Sequence, residues 1–302
     1  MSTGISPPPC ASPPYPRTRG MLWTGLSLIA LGEVVTLTQW RALGVWVTPL
    51  CWWGLILVLD AWLTAREGVS PVRSRPGVFL RDALLSIGFW LLFEVYNLHL
   101  ANWRYEGLPA WLPLRLFGFA LAFASIGPGM LLTARLLRSY GVFARFQGPR
   151  LRFSQGGLAT LMALGGVCLI VPLLVPADLA RWLFALVWLG FVFVLEPVLL
   201  RSGAESLLRD LEEGRLERLF TLLLAGALCG LLWEFWNFWA TARWVYTVPF
   251  TPSVRVFEMP LAGFLGFGPF AVEYFVFYAA VPLFGRRPGR ASSLVFPPHD
   301  RT

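Results

Sequence analysis

The stretch Leu231–Tyr246 reads LLWEFWNFWATARWVY and places a carboxylate and an amide, Glu234 and Asn237, in a run of tryptophan and leucine. An earlier stretch, Phe93–Tyr105, reads FEVYNLHLANWRY and has the same order of Glu, Asn, Trp and Tyr, with one residue fewer between the Glu and the Tyr. Chance often matches one apolar run with another, but it rarely matches polar residues in the same order. The two stretches therefore predict an internal duplication of the chain.

Further matches extend this duplication along both halves of the sequence in unbroken order. They are ALGEVV (Ala30–Val35) with ALGGVC (Ala163–Cys168), WWGLILVLD (Trp52–Asp60) with WLGFVFVLE (Trp188–Glu196), and RLFGFALAFASIGPG (Arg115–Gly129) with RVFEMPLAGFLGFGPF (Arg255–Phe270). We therefore predict a first repeat over 21–137 and a second repeat over 157–285, joined by a cytoplasmic linker over 138–156.

The composition predicts that most of the chain lies in lipid. Of its 302 residues, 56% are hydrophobic and 14% are charged, whereas soluble domains carry about 25% charged residues. Apolar runs long enough to cross a bilayer occur near 21–40, 44–64, 80–100, 114–136, 157–176, 179–200, 218–240 and 259–284. The predicted fold is an all-α integral membrane protein with about eight transmembrane helices. They form two parallel four-helix repeats, because an even number of spans returns the chain to the same side.

The distribution of arginine predicts the orientation in the membrane. Arginines are concentrated in alternate gaps between spans and in both tails, so the positive-inside rule puts both termini in the cytoplasm. Residues 1–20 then form a disordered Pro-rich cytoplasmic tail, and residues 286–302 form a second cytoplasmic tail. The cell inner (plasma) membrane is the expected location. Short links at 41–43 and 177–178 predict tight hairpins between the first two spans of each repeat.

Cysteine, histidine and net charge exclude several classes of function. The chain has four cysteines and two histidines without CxxC spacing, so we predict no metal site, no disulfide framework and no cofactor. The net charge of +8 comes from arginines that flank apolar runs, and no basic stripe is present. We therefore predict no nucleic-acid partner. The expected partners are membrane lipid and an apolar small molecule, and self-association stays open.

The paired polar residues of the two quoted stretches are candidate supporting or catalytic groups. Glu234 and Asn237 lie three residues apart and share a helix face, as do Glu94 and Asn97. A Trp-x-Tyr motif follows each pair. In the second half, its aromatic residues are Trp244 and Tyr246. An aromatic belt at the membrane boundary would explain those rings equally well, but it does not require the carboxylates.

A structural interpretation of the same carboxylates also stays open. Arg115 and Arg255 begin the spans that follow Glu94 and Glu234, and each could form an ion pair that joins two helices. Asp60, at the end of the second span, and its match Glu196 are interpreted as structural residues.

The second repeat differs from the first in its last span. Glu258 and Glu273 stand where the first repeat has Gly118 and Leu132. Pro269 predicts a kink in this span, and Glu273 follows one turn later, near the middle of the bilayer. A charge there costs about 2.5–3.5 kcal/mol on insertion scales, which favours a functional role for this carboxylate.

Three functions remain open on these grounds. The first is an intramembrane acid–base enzyme that acts on an isoprenoid or another lipid, with Glu273 as proton donor and with Glu234 and Glu258 completing the site. The second is a proton-coupled transporter of a small molecule. The third is a structural subunit of a membrane complex. The first is preferred, because tryptophan-rich walls suit a long apolar substrate and its cationic intermediates.

Overall fold

Long helices form most of the protein. The structure is a computed structural model that describes residues 16–249 and 254–284. Its first half contains α1 (Pro16–Leu37), α2 (Arg41–Gly44), α3 (Val47–Glu67), α4 (Pro71–Ser74), α5 (Pro76–Leu100), β1 (Trp103–Glu106) and α6 (Leu112–Ser139). The second half contains α7 (Gln155–Leu174), α8 (Ala177–Ala180), α9 (Phe184–Ser202), α10 (Leu207–Glu212), α11 (Glu217–Trp239), β2 (Arg243–Tyr246), β3 (Arg255–Val256), β4 (Met259–Pro260), a 3₁₀ helix (Leu261–Gly266), α12 (Phe267–Ala280) and a last 3₁₀ turn (Val281–Phe284).

The prediction of an all-α protein is confirmed. By length and composition, seven helical segments of the described chain can cross a membrane: α1, α3, α6, α7, α9, α11 and the segment Leu261–Leu283 that contains α12. They indicate a multi-pass membrane protein. The predicted third span corresponds to α5, which has 25 residues but is not among the seven. The predicted tail over 286–302 and residues 1–15 of the other tail lie outside the described residues, and α1 begins at Pro16, within the predicted tail.

The order of elements in the first half recurs in the second half. Each half begins with two long helices joined by a short one. The predicted pairing of these helices is confirmed, because α1 packs against α3 and α7 packs against α9. The links run over 38–46 and 175–183 and are longer than the predicted links at 41–43 and 177–178. The first hairpin is tight because it contains facing glycines. A Cβ on Gly25 would lie 2.6 Å from the Gly54 carbonyl oxygen, so a larger residue would push the helices apart.

A matched carboxylate closes the turn after the second long helix of each half. Asp60 accepts hydrogen bonds from Ser70 Oγ and the Val72 N–H, and it thereby fixes the start of α4. Glu196 accepts hydrogen bonds from Ser206 Oγ and the Leu207 N–H at the start of α10. Both side chains are buried, and these bonds support the structural interpretation of the two acids.

The two halves meet through their third and fourth long helices. Helix α6 packs against α11, and α5 packs against α12, so the core is shared by both halves. The strands β1 and β2 pair antiparallel at the end of the bundle where α5 and α11 finish, which we call the ladder end. Trp103 lies opposite Tyr246, and Tyr105 lies opposite Trp244. The two Trp-x-Tyr motifs therefore pair crosswise, as a local two-fold axis between them requires.

The last span differs from its predicted form. The sequence predicted one helix kinked at Pro269, but residues 261–266 form a 3₁₀ helix and α12 begins at Phe267. Pro269 is the third residue of α12, where its missing N–H removes no intrahelical hydrogen bond. The 3₁₀ helix and α12 form one helical span over Leu261–Leu283, and the kink at Pro269 stays a prediction.

Candidate functional site

Two asparagines fasten the strands of the ladder to the helices that precede them. The Asn97 side chain donates to the Trp103 carbonyl at 2.8 Å and accepts from the Asn102 N–H at 2.8 Å. The Asn237 side chain donates to the Trp244 carbonyl at 2.8 Å and accepts from the Trp244 N–H at 2.9 Å. Both side-chain amides form hydrogen bonds with backbone groups in or next to the strands, so each asparagine positions a strand.

Each glutamate that shares a helix face with these asparagines is bonded to the tyrosine of its own half. In the second half, Tyr246 Oη donates to Glu234 Oε1 at 2.7 Å, and Trp244 Nε1 donates to Tyr246 Oη at 2.9 Å. Glu234 is buried, and its other oxygen, Oε2, has no hydrogen-bond partner among the described residues. Within the geometric limits of a hydrogen bond, this pair therefore contains one carboxylate oxygen without a partner in the described part of the chain.

The first half satisfies its glutamate more fully. Glu94 Oε1 accepts hydrogen bonds from Tyr105 Oη at 2.6 Å, Trp90 Nε1 at 2.8 Å and Trp103 Nε1 at 3.0 Å. Hydrogen bonds to a carboxylate stabilise its charged form. The matched positions of the two halves thus share a Tyr–Glu bond but differ in the number of donors that reach the acid.

The expected ion pairs with Arg115 and Arg255 are not formed. Across residues 16–249 and 254–284, no ion pair joins either arginine to Glu94 or Glu234. Arg115 Nε donates instead to the Pro109 carbonyl at 3.0 Å, and Arg255 is exposed. The structural interpretation based on these ion pairs is wrong, because the carboxylates accept hydrogen bonds from indole and phenol groups and not from the arginines.

Burial keeps both tyrosines protonated. Desolvation, followed by the charge of Glu94, raises the pKa of Tyr105 well above its ordinary value, and the same causes involving Glu234 act on the pKa of Tyr246. The two phenol groups are also close enough to influence each other electrostatically. A phenol with a raised pKa gives up its proton only if its oxygen receives another proton at the same time. Each tyrosine therefore suits a proton relay between its glutamate and a bound molecule.

A cavity of about 490 Å³ lies beneath the ladder, between the two halves. Its wall is mainly aromatic and aliphatic. Three pairs of matched aromatic residues, one member from each half, contribute to the wall: Trp52 with Trp188, Trp103 with Trp244, and Tyr105 with Tyr246. Both halves therefore contribute aromatic residues from matched positions to the cavity wall.

The predicted site residues divide into three groups around this cavity. Arg115, Trp244 and Tyr246 line it. Glu234 and Glu94 lie behind the tyrosines that line it, and Asn237 and Asn97 hold the strands that carry those tyrosines. The remaining three predicted residues, Glu258, Arg255 and Glu273, do not line the cavity.

Glu258 and Glu273 occupy different surroundings, although both are unmatched acids of the second half. Glu258 forms an ion pair with Arg243 Nη1 at 3.0 Å, close to the ladder. Glu273 is fully buried, and neither of its carboxylate oxygens has a hydrogen-bond partner in the described chain. It follows Phe270, which lines the cavity, by one helical turn on the same face of α12. The structure therefore does not bring the three predicted catalytic acids together in one cavity.

A further buried polar cluster was not predicted from the sequence. Tyr274 Oη donates to Asp82 Oδ1 at 2.5 Å, and Ser86 accepts a hydrogen bond from the Gly127 N–H at 2.8 Å. All three side chains, Asp82, Ser86 and Tyr274, are buried, and none lines the cavity. Asp82 and Ser86 lie four residues apart on α5, and this i, i+4 polar pair within an apolar run was the available signal.

The chain matches no protein-family model, no curated protein and no solved structure. Among the described residues, no group of three or more His, Cys, Asp or Glu side chains is placed to hold a metal ion. The functional argument below rests on the cavity and on the hydrogen bonds behind its wall.

Proposed function

We propose that the chain crosses the plasma membrane eight times, as two parallel four-helix repeats with both termini in the cytoplasm. The recurring element order and the crosswise strand pairing support the repeats. A helix of 25 residues, such as α5, is about 37 Å long at 1.5 Å per residue, which exceeds the hydrocarbon thickness of about 30 Å. Its charged residues then lie near its ends or in the protein interior.

The distribution of arginine along the bundle supports this orientation. The end that carries α4 and α10, opposite the ladder, is the richer in arginine and becomes the cytoplasmic end. Its arginines include Arg66, Arg73, Arg75, Arg138, Arg145, Arg150, Arg152, Arg201, Arg209, Arg215 and Arg218. The ladder end has Arg41, Arg104, Arg115, Arg181, Arg243 and Arg255.

We further propose that the protein is an intramembrane acid–base enzyme that acts on an isoprenoid or another apolar lipid. One observation carries this proposal. The wall of an aromatic cavity includes Tyr246, whose hydroxyl is bonded to a buried carboxylate, Glu234, that has an unsatisfied oxygen. An apolar wall suits an apolar ligand, and a carboxyl group behind a tyrosine suits proton transfer.

The chemistry that this arrangement favours is a proton shift within one substrate molecule. Tyr246 passes a proton to a carbon–carbon double bond while the Glu234 carboxyl group returns one to the phenol oxygen. The aromatic rings of Trp52, Trp188 and Trp244 stabilise the resulting carbocation by cation–π contact. The Glu234 carboxylate then recovers a proton from a neighbouring carbon through Tyr246. Protons given and taken are equal, so the product is an isomer or a ring-closed form of the substrate.

In this proposal, the two glutamates of the ladder end have different roles. Glu234, which accepts a hydrogen bond from Tyr246, exchanges the proton. Glu94, which accepts three hydrogen bonds, fixes Tyr105 and two indole rings in the wall. The assignment of Glu273 as proton donor stays a prediction, because Phe270 stands between its turn of α12 and the cavity.

Lipid extracts of the source organism with and without the gene test the proposed activity. We expect cells that lack the protein to accumulate an isoprenoid or other lipid precursor, and we expect the wild-type gene, but not Glu234→Gln or Tyr246→Phe, to remove it. Glu106→Gln is a matched control, because Glu106 is a half-buried acid of the same ladder that is paired with Arg104 and does not line the cavity. An unchanged lipid profile in the deletion strain would count against any enzymatic role.

The structural alternative makes a different prediction in the same experiment. It is favoured by the bonds that join each strand to its helix, since these would exist without any catalysis. Under this alternative, Glu234→Gln lowers the amount of protein in the membrane. Under the proposed function, the variant accumulates normally and only the conversion of lipid is lost.

A further inference from the structure

Three residues that line the cavity each have one buried polar side-chain atom without a hydrogen-bond partner among the described residues. These atoms are Thr48 Oγ1, Trp52 Nε1 and Asn102 Oδ1. The exposed fractions of these residues are 8%, 0% and 0%. Buried side-chain donors and acceptors in native proteins are almost always hydrogen-bonded, so these atoms mark places where a bound molecule completes the wall.

The first of these atoms lacks its usual local partner. A threonine near the start of a helix often donates to the carbonyl four residues earlier, which for Thr48 is that of Gly44. That carbonyl instead accepts a hydrogen bond from the Thr241 N–H at 3.1 Å. The Thr48 hydroxyl lies next to this contact between the two halves, and it has no hydrogen-bond partner among the described residues.

The second atom is the buried indole nitrogen that lacks a hydrogen-bond partner among the described residues of the cavity wall. Trp90 and Trp103 donate to Glu94, and Trp244 donates to Tyr246. Trp52 is fully buried, with its ring packed 4.9 Å from the ring of Trp233, yet its Nε1 donates to nothing in the described chain. Its aromatic packing is complete, and only its N–H lacks a partner.

These two groups lie together and occur in one half only. Thr48 and Trp52 are four residues apart, so their side chains lie one above the other on the same face of α3. The alignment of Trp52 with Trp188 makes Phe184 the match of Thr48, so the second half has a phenyl ring where the first has a hydroxyl. The two similar halves would otherwise offer a ligand two equivalent orientations. A ligand that binds Thr48 and Trp52 takes only one of them.

We propose that the ligand of this cavity is an apolar lipid that carries a hydroxyl or carbonyl oxygen, which Thr48 Oγ1 and Trp52 Nε1 hold by hydrogen bonds. The inference rests on the proposed function, since it names the substrate class of the same cavity. A pure hydrocarbon would leave both donors unsatisfied. An oxygen function pairs them and orients the molecule relative to Tyr246. Asn102 belongs to the same wall, and its amide nitrogen is held by the Arg181 carbonyl.

A comparison of farnesol with farnesene tests the proposal. The full chain in lipid nanodiscs is equilibrated with radiolabelled farnesol, and unlabelled farnesol or farnesene is added as competitor, with empty nanodiscs as the correction for partition into lipid. We expect the wild-type protein to prefer farnesol about 5- to 10-fold, as one or two net hydrogen bonds would give. Thr48→Val should reduce this preference to about 2-fold or less, with the farnesene affinity unchanged.

Two further variants keep the test interpretable. Trp52→Phe keeps an aromatic ring against Trp233 but removes the N–H, and it should reduce the farnesol preference in the same way. Thr133→Val is the matched control, because the Thr133 hydroxyl donates to the Gly129 carbonyl at 2.8 Å and Thr133 does not line the cavity. This control should keep the wild-type preference.

Several results would overturn the proposal. Equal affinity for the two probes in the wild-type protein would refute the oxygen-binding pair and leave the apolar cavity of the proposed function intact. A full farnesol preference in both Thr48→Val and Trp52→Phe would refute the assignment of these two residues. If neither farnesol nor farnesene binds, the inference and the proposed lipid-binding cavity are both refuted.

Discussion

The first half of the chain, residues 16–139, and the second half, residues 155–284, share the order of their long helices but differ in their unsatisfied polar groups. Their asparagine–strand contacts, Tyr–Glu bonds and capping carboxylates correspond one to one. The first half contributes Thr48 and Trp52 to the cavity wall, whereas the second half contains the partly satisfied Glu234 and the isolated Glu273. The matched groups stabilise the fold, and the unmatched groups indicate where a ligand and its chemistry lie.

The largest expected difference between the halves concerns their two Tyr–Glu pairs. Glu234→Gln should lower lipid conversion by about 100-fold or more, the usual contribution of general acid–base catalysis. Glu94→Gln should lower it by less than about 10-fold, because Glu94 only positions rings, while its loss of charge-assisted hydrogen bonds costs about 1–3 kcal/mol of stability. Product formation in membranes and thermal melting measure the two effects. Equal losses of activity in both variants would contradict the division of roles.

The unmatched acid of α12 is tested by making the second half resemble the first. Glu273→Leu places in α12 the residue found at Leu132. We expect a higher melting temperature, because a buried carboxyl group without partners costs about 1–3 kcal/mol, and we expect loss of lipid conversion if Glu273 donates the proton. Glu273→Gln separates charge from volume. A stabilised variant with full activity would remove Glu273 from the candidate catalytic residues.

The two asparagine contacts should be equivalent, and this is the smaller test of the comparison. Asn97→Ala and Asn237→Ala each remove one amide that bonds backbone groups of a strand, so each should cost about 1–3 kcal/mol of unfolding free energy. Thermal melting of the two variants and of the double variant would measure this. A large loss in only one half would show that the ladder depends on one strand more than on the other.

The smallest expected effect is the alkaline titration of the paired tyrosines. Their pKa values are raised, so the fold favours the neutral form. The stability that this provides is complete below the ordinary tyrosine pKa of about 10 and is lost as the pH rises through the raised values. Phenolate absorbance at about pH 11 should therefore be unchanged by Tyr105→Phe or Tyr246→Phe in the folded protein. In denatured protein, each substitution should lower the absorbance by the contribution of one tyrosine.

Several features of the protein could be predicted from the sequence because they depend on local composition and spacing. Apolar runs of bilayer length predicted the long helices, and short polar links predicted the hairpins of α1 with α3 and of α7 with α9. The three-residue spacing from Glu234 to Asn237 predicted that both lie on one helix face. A helix fixes that geometry whatever it packs against. The order of polar residues also predicted which residues of the two halves correspond. The pseudo-symmetry of the halves remains part of the proposed architecture.

Other features were decided only by the tertiary structure, because they depend on which distant groups meet. Arg115 is an obvious ionic partner for Glu94 in the sequence, but folding brings Tyr105 and two indoles to that carboxylate instead. The 3₁₀ geometry of residues 261–266 ahead of α12 was not predicted either. The unsatisfied donors of Thr48 and Trp52 could not be found from sequence at all. A missing hydrogen bond is a property of every neighbour that surrounds a buried atom, and those neighbours come from both halves of the folded chain.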